Sequence, residues 1–328
     1  MRRPAHPALQ AVSLLILTAL AGCDNVRWGG VQMEVVPPPP PASMVPVAPD
    51  EQLSADFGLP RGPVLFQIQQ TPDGSLLLPV AEVTGDSMHA LRRPAGVAPS
   101  AFEEKFRETV LPLGAQFRVY RRGAPVGTFV VQRAGPVNRC GVPTAYGNAT
   151  VVAAAADAPR FLAFREGLNP QVNDDFNPPQ VDGSIRTYAS IDAERLILQA
   201  GLPRPRSWQG AQRDLQAIEI VPGGHPEMAT TYLVGDSLAV GPADPRGYSV
   251  FYIADYETKT GYTPIYSEVL DYRKTGKAAP RLVDYLNWND RGPAELLVQV
   301  FGRDQSWFEA IGQRHGRWEK IWEGNRCG

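Results

Sequence analysis

Histidine and cysteine are scarce in this chain, with four and three among 328 residues. His6 lies in the N-terminal segment, and His89, His225 and His315 stand at no metal-ligand spacing. Neither a metal site nor a cofactor is therefore expected, and no glycine-rich nucleotide loop is present. Basic charge is not in excess: 32 Lys and Arg face 34 Asp and Glu, a net charge of −2. A nucleic-acid binder needs a basic face, so no nucleic-acid partner is expected. With 32 Pro and 31 Gly, long uninterrupted helices are not expected either.

What is present begins at the N-terminus. Arg2 and Arg3 precede an apolar run from Leu9 to Leu20, which is short for a membrane span and reads as a secretion signal. It ends in Leu20-Ala21-Gly22-Cys23, and small residues before a cysteine at this distance resemble the lipobox of bacterial lipoproteins. The resemblance implies removal of residues 1–22 as a signal peptide and lipidation of Cys23. The protein would then be exported and anchored to a bacterial membrane, on its periplasmic or cell-surface side, because two or more acyl chains hold stably. An exported chain sits where disulfides persist, so a Cys140–Cys327 bond is expected to tie the tail to the first half; the alternative is two free thiols.

Residues 23–60 read as a tether, with an unbroken proline run at 37–41 favouring extended polyproline. Residues 61–160 read as a small β-rich domain with one helix. Strands are expected at 64–69, 76–80, 116–120, 126–132 and 151–155. Ser100 and Glu103 fit a capping box for a helix carrying Phe102, Phe106 and Val110 on one face. Residues 161–204 read as a connecting segment, with a helix over 192–200. From 205 to 328 the chain changes character. Thirteen of the 17 Trp and Tyr residues fall there. Eight short apolar strands follow one another, at 217–221, 228–234, 248–256, 263–270, 282–286, 295–301, 307–311 and 318–322, an all-β pattern.

This second half repeats. Each unit reads strand, polar Gly loop, Glu, strand, hairpin, strand, Gly-aromatic turn, strand, with Glu227 and Glu295 in matching places. Four strands per unit is the content of a propeller blade. Asn287-Trp288-Asn289-Asp290-Arg291-Gly292-Pro293-Ala294-Glu295-Leu296 resembles a degenerate FG-GAP or VCBS-type repeat. That family places a calcium-holding Asp/Asn loop before a Glu-Leu strand. Here Arg291 stands where the family has Asp, and Pro222-Gly223-Gly224-His225 in the first copy supplies almost no side-chain oxygen. The loops are therefore expected to be polar hairpin loops held by Asn side chains rather than calcium sites. The fold class expected overall is mainly β: a small N-terminal β-rich domain with one helix, then an antiparallel β-repeat domain forming part of a propeller.

Two further features bear on function. Gly235-Asp236-Ser237-Leu238 after an apolar strand resembles the nucleophile block of GDSL serine esterases, which would make Ser237 a nucleophile activated by a distant His. The blocks that should follow are degraded: Asn287-Trp288-Asn289-Asp290 has Asn for Gly, and Gly312-Gln313-Arg314-His315 has Gly for Asp. The same tripeptide also occurs at 85–87, so a hairpin turn is the preferred reading. The aromatic enrichment is expected to be mostly core. Trp288 and Tyr262, placed in matching loop regions, are the candidates for an exposed recognition surface. The expectation from sequence is thus a membrane-anchored envelope lipoprotein acting as a non-catalytic binding or structural module for a protein or glycan partner, with a GDSL-type esterase as the alternative.

Overall fold

The computed structural model describes residues 57–165, 170, 173–289 and 291–326. The segment expected as a signal peptide, Cys23, most of the expected tether and Cys327 lie outside these residues.

The first half closes on itself. Strands β1 (Val64–Thr71), β2 (Gly74–Thr84), β3 (Ser87–Ala90), β4 (Gln116–Arg121), β5 (Ala124–Val137), β6 (Pro143–Val151) and β7 (Arg160–Arg165) form one antiparallel sheet. Its order is β1-β7-β4-β5-β6-β2-β3, and β2 pairs back onto β1, so six strands make a barrel with β3 as a flap on β2. Closure removes the open edges that an exposed sheet would present. A barrel this small is filled by side chains. Phe66, Phe117, Phe129 and Phe161 point inward, and the Phe66–Phe117 and Phe117–Phe129 pairs meet edge-on at 5.0 and 6.2 Å. Helix α1 (Pro99–Thr109) adds Phe102 and Phe106 to the same core, as its spacing predicts.

Two local expectations fail here. The capping box is not formed: Ala98 is the N-cap and Pro99 opens the helix, because a proline's fixed φ suits the first turn. Glu103 pairs instead with Arg107 at 2.8 Å. The strand expected at 151–155 is also absent. β6 ends at Val151, and Ala153–Ala155 form a single 3-10 turn, an alanine run having little to hold it in a pleat.

The second half is two four-stranded antiparallel meanders. The first sheet comprises β8 (Gln212–Ile218), β9 (Glu227–Val234), β10 (Tyr248–Glu257) and β11 (Gly261–Asp271). The second comprises β12 (Ala279–Leu286), β13 (Glu295–Phe301), β14 (Ser306–Arg314) and β15 (Arg317–Glu323). Helix α2 (Gly183–Gln199) begins at Asp182, whose carboxylate accepts the Ile185 N–H at 2.8 Å. At 17 residues it is longer than the sequence suggests, because the Asp182 cap starts it nine residues before the expected point.

The layers stack. Ile185, Ala189 and Ile197 of α2 pack on Met228, Tyr232 and Tyr252 of the first sheet. The other face of that sheet, with Ala229, Phe251 and Ile253, packs on Leu282, Leu296 and Val298 of the second. The far face of the second sheet, with Val283, Leu286 and Leu297, packs on Leu65, Tyr120 and Leu162 from outside the barrel. Strands apolar on both faces, such as β10, are those covered on both sides. The described residues form one compact unit, in which β7 belongs to the barrel and α2 to the first sheet. The mainly β architecture is thus present, with two blade-like sheets facing each other. Residues 64–165 supply a barrel beside them rather than further blades.

Candidate functional site

The two halves of the repeat are equivalent in detail. Ile218 pairs with Glu227 across one hairpin and Leu286 with Glu295 across the other, so each loop spans the same length, 219–226 and 287–294. Each Glu opens its strand and turns its carboxylate into its own loop. Glu227 accepts the N–H of Ile220 at 3.0 Å, and Glu295 accepts that of Trp288 at 3.1 Å. Both residues are buried, at 3% and 2% exposure. Burial disfavours the ionised form and pushes Glu227 up to about 7 and Glu295 up to about 8, against the pull of these backbone bonds.

The loops meet. The Ala294 N–H donates to the Ile220 carbonyl at 2.9 Å, joining one sheet to the other. Beside this contact lies a cleft of about 330 Å³ at the junction of all three layers. Its walls include Asn173, Asp174, Glu219, Tyr285, Asn287 and the β4–β5 turn at Gly123. That turn is braced from both sides: Gly123 N–H donates to the Tyr285 carbonyl at 3.1 Å, and Asn173 N–H donates to the Gly123 carbonyl at 2.9 Å. Gly123 has φ +73°, and a Cβ there would lie 3.1 Å from the Tyr285 ring, so this corner requires glycine. The Tyr285 hydroxyl accepts from the Glu219 N–H at 3.2 Å, and Asn173 Nδ2 donates to Glu219 Oε2 at 3.3 Å. The result is a rigid polar cleft presented by loops, the usual site of recognition on a β scaffold.

The residues singled out in the sequence fall as follows. Asn287 and Asn289 turn their side-chain oxygens onto the Arg291 N–H, at 3.1 and 2.8 Å, and Asn287 Nδ2 donates to the Gly292 carbonyl at 3.0 Å. The loop is held by its own asparagines. A second cavity, of about 230 Å³, lies against Glu295, with Asp86, Arg291, Arg314 and His315 on its walls. Trp288 is only partly exposed and packs against the core between the second sheet and the barrel. Tyr262 is 7% exposed rather than a surface residue. It lies between the rings of Tyr188 and Tyr256, at 5.7 and 5.4 Å, and its hydroxyl donates to the Pro226 carbonyl at 2.9 Å. It is buried because α2, read as part of a connector, covers it.

Ser237 follows β9, which is antiparallel to both of its neighbours, whereas the nucleophile of a GDSL esterase tops a parallel strand. Its hydroxyl makes no hydrogen bond among the described residues, to histidine or otherwise. The preceding residue carries the structure. Asp236 forms an ion pair with Lys277 at 2.6 Å and accepts the Tyr272 hydroxyl and the Ser237 N–H, each at 2.6 Å. Burial, together with the Asp236 carboxylate, holds the Tyr272 phenol well above its ordinary range. This knot pins the β9–β10 connection and had no signal in the sequence, since Asp236 and Lys277 are 41 positions apart.

Cys140 is disulfide-bonded, while Cys23 and Cys327 lie outside the described residues. The described tail reaches the neighbourhood of Cys140. Asn325 Nδ2 donates to the Leu91 carbonyl at 3.2 Å, and the Arg93 N–H donates to the Cys140 carbonyl at 3.4 Å. The Arg326 guanidinium stacks over Trp307 at 4.1 Å. Set against known proteins, the chain matches no protein-family model, no curated protein sequence and no solved structure.

Proposed function

We propose that this chain is a bacterial envelope lipoprotein, anchored through a lipid on Cys23, whose folded part is a non-catalytic binding module. The observation that supports the reading is the cleft at the junction of barrel and sheets. Three separate loops converge there and offer hydrogen-bonding side chains, from Asn173, Asp174, Glu219 and Asn287, on a braced backbone. Such a surface suits a polar envelope component, a protein segment or a glycan, and the proline-rich tether would hold it away from the bilayer. The degenerate FG-GAP or VCBS-like loops fit this reading as scaffold that has kept its shape and given its side-chain oxygens to loop closure. Cys140 pairing with Cys327 belongs to the same proposal, since the oxidising side of a membrane would keep the tail fastened.

The test uses the full chain expressed in a bacterium with an in-cell crosslinker. Cys23→Ala should move the protein from the membrane to the soluble fraction. Asp174→Ala combined with Asn287→Ala should remove the crosslinked species formed by the wild type, and Asp174→Ala alone, which touches no loop-closing bond, should weaken it at an unchanged melting temperature. Membrane association that survives Cys23→Ala would overturn the anchor. An unchanged crosslinking pattern in the double variant would overturn the cleft.

A further inference from the structure

A second polar centre adjoins the cleft, where β4, β7, β8 and β12 converge. Its carboxylates, Asp214 and Asp284, each follow a β-bulge, and bulges re-aim side chains. Four arginines stand around them: Arg121 and Arg122 from the β4–β5 hairpin, Arg160 at the start of β7 and Arg281 on β12. Two of the four are committed. Arg121 donates to Asp284 Oδ2 and to the Val283 carbonyl, both at 2.9 Å, with its side chain 12% exposed and that of Asp284 1% exposed. Arg122 has φ +49°, unusual for a residue other than glycine. It gives its N–H to Asp284 Oδ1 at 2.8 Å and its guanidinium to the Pro179 carbonyl at 3.3 Å.

The other two are not committed. Among the described residues neither the Arg160 nor the Arg281 side chain forms a hydrogen bond or an ion pair, and the Nε atoms of both are enclosed without a partner. Asp214, the carboxylate nearest in electrostatic effect, is engaged by Gln216 Nε2 at 2.7 Å. Four guanidiniums thus face two carboxylates in a half-buried setting. An unpaired cation out of water is costly, and guanidinium pairs are the usual receptor for a planar or tetrahedral oxyanion.

We propose that Arg160 and Arg281 bind a small oxyanion of the phosphate type at the junction of the barrel and the two sheets. Two further observations agree. Burial first, and then the neighbouring Arg281, hold the Arg160 guanidinium below its ordinary value against the opposing pull of Asp214. Burial also raises Asp214 above the usual carboxylate range, against the lowering effect of Gln216 and of Arg281, Arg121 and Arg160, which places these arginines around one buried carboxylate. Phosphate binding and crosslinking are read on different variants, so the two proposals fail separately.

The experiment is a titration of the purified full chain in detergent with inorganic phosphate at constant ionic strength, read by calorimetry and by melting temperature. Sulfate and acetate serve as comparison anions, and a phosphate monoester tests whether the anion is free or part of a larger molecule. The expected result is saturable heat with phosphate, a rising melting temperature, and a weaker response to acetate. Arg281→Gln and Arg160→Gln should each weaken phosphate binding at least tenfold. In phosphate-free buffer they should melt at or above the wild-type temperature, because each removes an unpaired cation. Arg303→Gln, at an exposed site, should change nothing. The absence of a phosphate response in the wild type would overturn the proposal without recourse to any variant. An equal response in wild type and in the Arg160 and Arg281 variants would also overturn it.

Discussion

Replacing Asp236 by Ala tests the reading of the Gly-Asp-Ser segment as structure rather than catalytic machinery. The side chains of Lys277 and Asp236 are 4% and 0% exposed, and the carboxylate holds an ammonium, a phenol and a backbone N–H at 2.6 Å each. Removing one member of a buried ion pair costs about 3–5 kcal/mol, because the other charge is left uncompensated. Lys277 keeps a bond to the Ala239 carbonyl at 2.7 Å, so the lower end, about 3 kcal/mol, is expected here. For a unit of this size each kcal/mol lowers Tm by about 2–4 °C, giving a fall of roughly 6–12 °C. Ser237→Ala removes an exposed hydroxyl with no partner among the described residues and should stay within about 0.5 kcal/mol of wild type. Thermal denaturation followed by circular dichroism reads both. If Asp236→Ala melted within about 2 °C of wild type, the buried-pair argument would be wrong. If a serine-reactive probe labelled the wild type and Ser237→Ala abolished the labelling, the esterase reading would return.

Two other perturbations probe the repeat. Glu227 and Glu295 have folded-state pKa values raised by burial to about 7 and about 8. Each therefore binds more protons folded than unfolded between its unfolded value and these values. Its stabilising effect is complete below the unfolded value and is lost as pH rises through the folded one, on the order of 3 kcal/mol per group. Chemical denaturation between pH 5 and pH 9 should show stability falling with pH, and Glu227→Gln or Glu295→Gln should flatten the fall; an unchanged slope in both variants would refute the assignment. Tyr262→Phe removes the hydrogen bond to the Pro226 carbonyl. It should cost about 1 kcal/mol in stability and leave in-cell crosslinking intact, whereas lost crosslinking in a fully folded variant would restore Tyr262 as a contact residue.

The second half of this fold was legible because its information is local. Seven of the eight strands expected from 205 onward lie within strands of the structure, Glu295–Phe301 with its full bounds, since each is a short apolar run between turn residues, whereas the one expected at 217–221 runs over Gln212–Ile218 because Glu219 and Ile220 turn into the loop. The matching of Glu227 with Glu295 was readable for the same reason: a repeated loop of fixed length needs the same cap for its buried N–H in each copy. The barrel was less visible. β6 carries Tyr146, Gly147 and Asn148 in mid-strand, and its pairing partners β5 and β2 are what make it a strand. Helix α2 is longer than the sequence suggests because its first turns are polar and follow a proline-rich stretch, and it is the Asp182 cap together with the surface offered by the first sheet that holds them.

By itself the sequence determined the class of the fold, the strand rhythm of the repeat and the asparagine-held loop before Glu295. All of these follow from residues within a few positions of one another. Only the tertiary structure decided which side chains meet across the layers. Arg121 reaches Asp284 from another sheet, Asp236 finds Lys277 across a hairpin, Tyr262 disappears beneath α2, and among the described residues the Nε atoms of Arg160 and Arg281 are left without a partner. Contacts of that kind arise from how sheets stack and where bulges turn a side chain. Neither is encoded in any one stretch of the chain, because stacking is set by the sum of many apolar faces seeking cover at once.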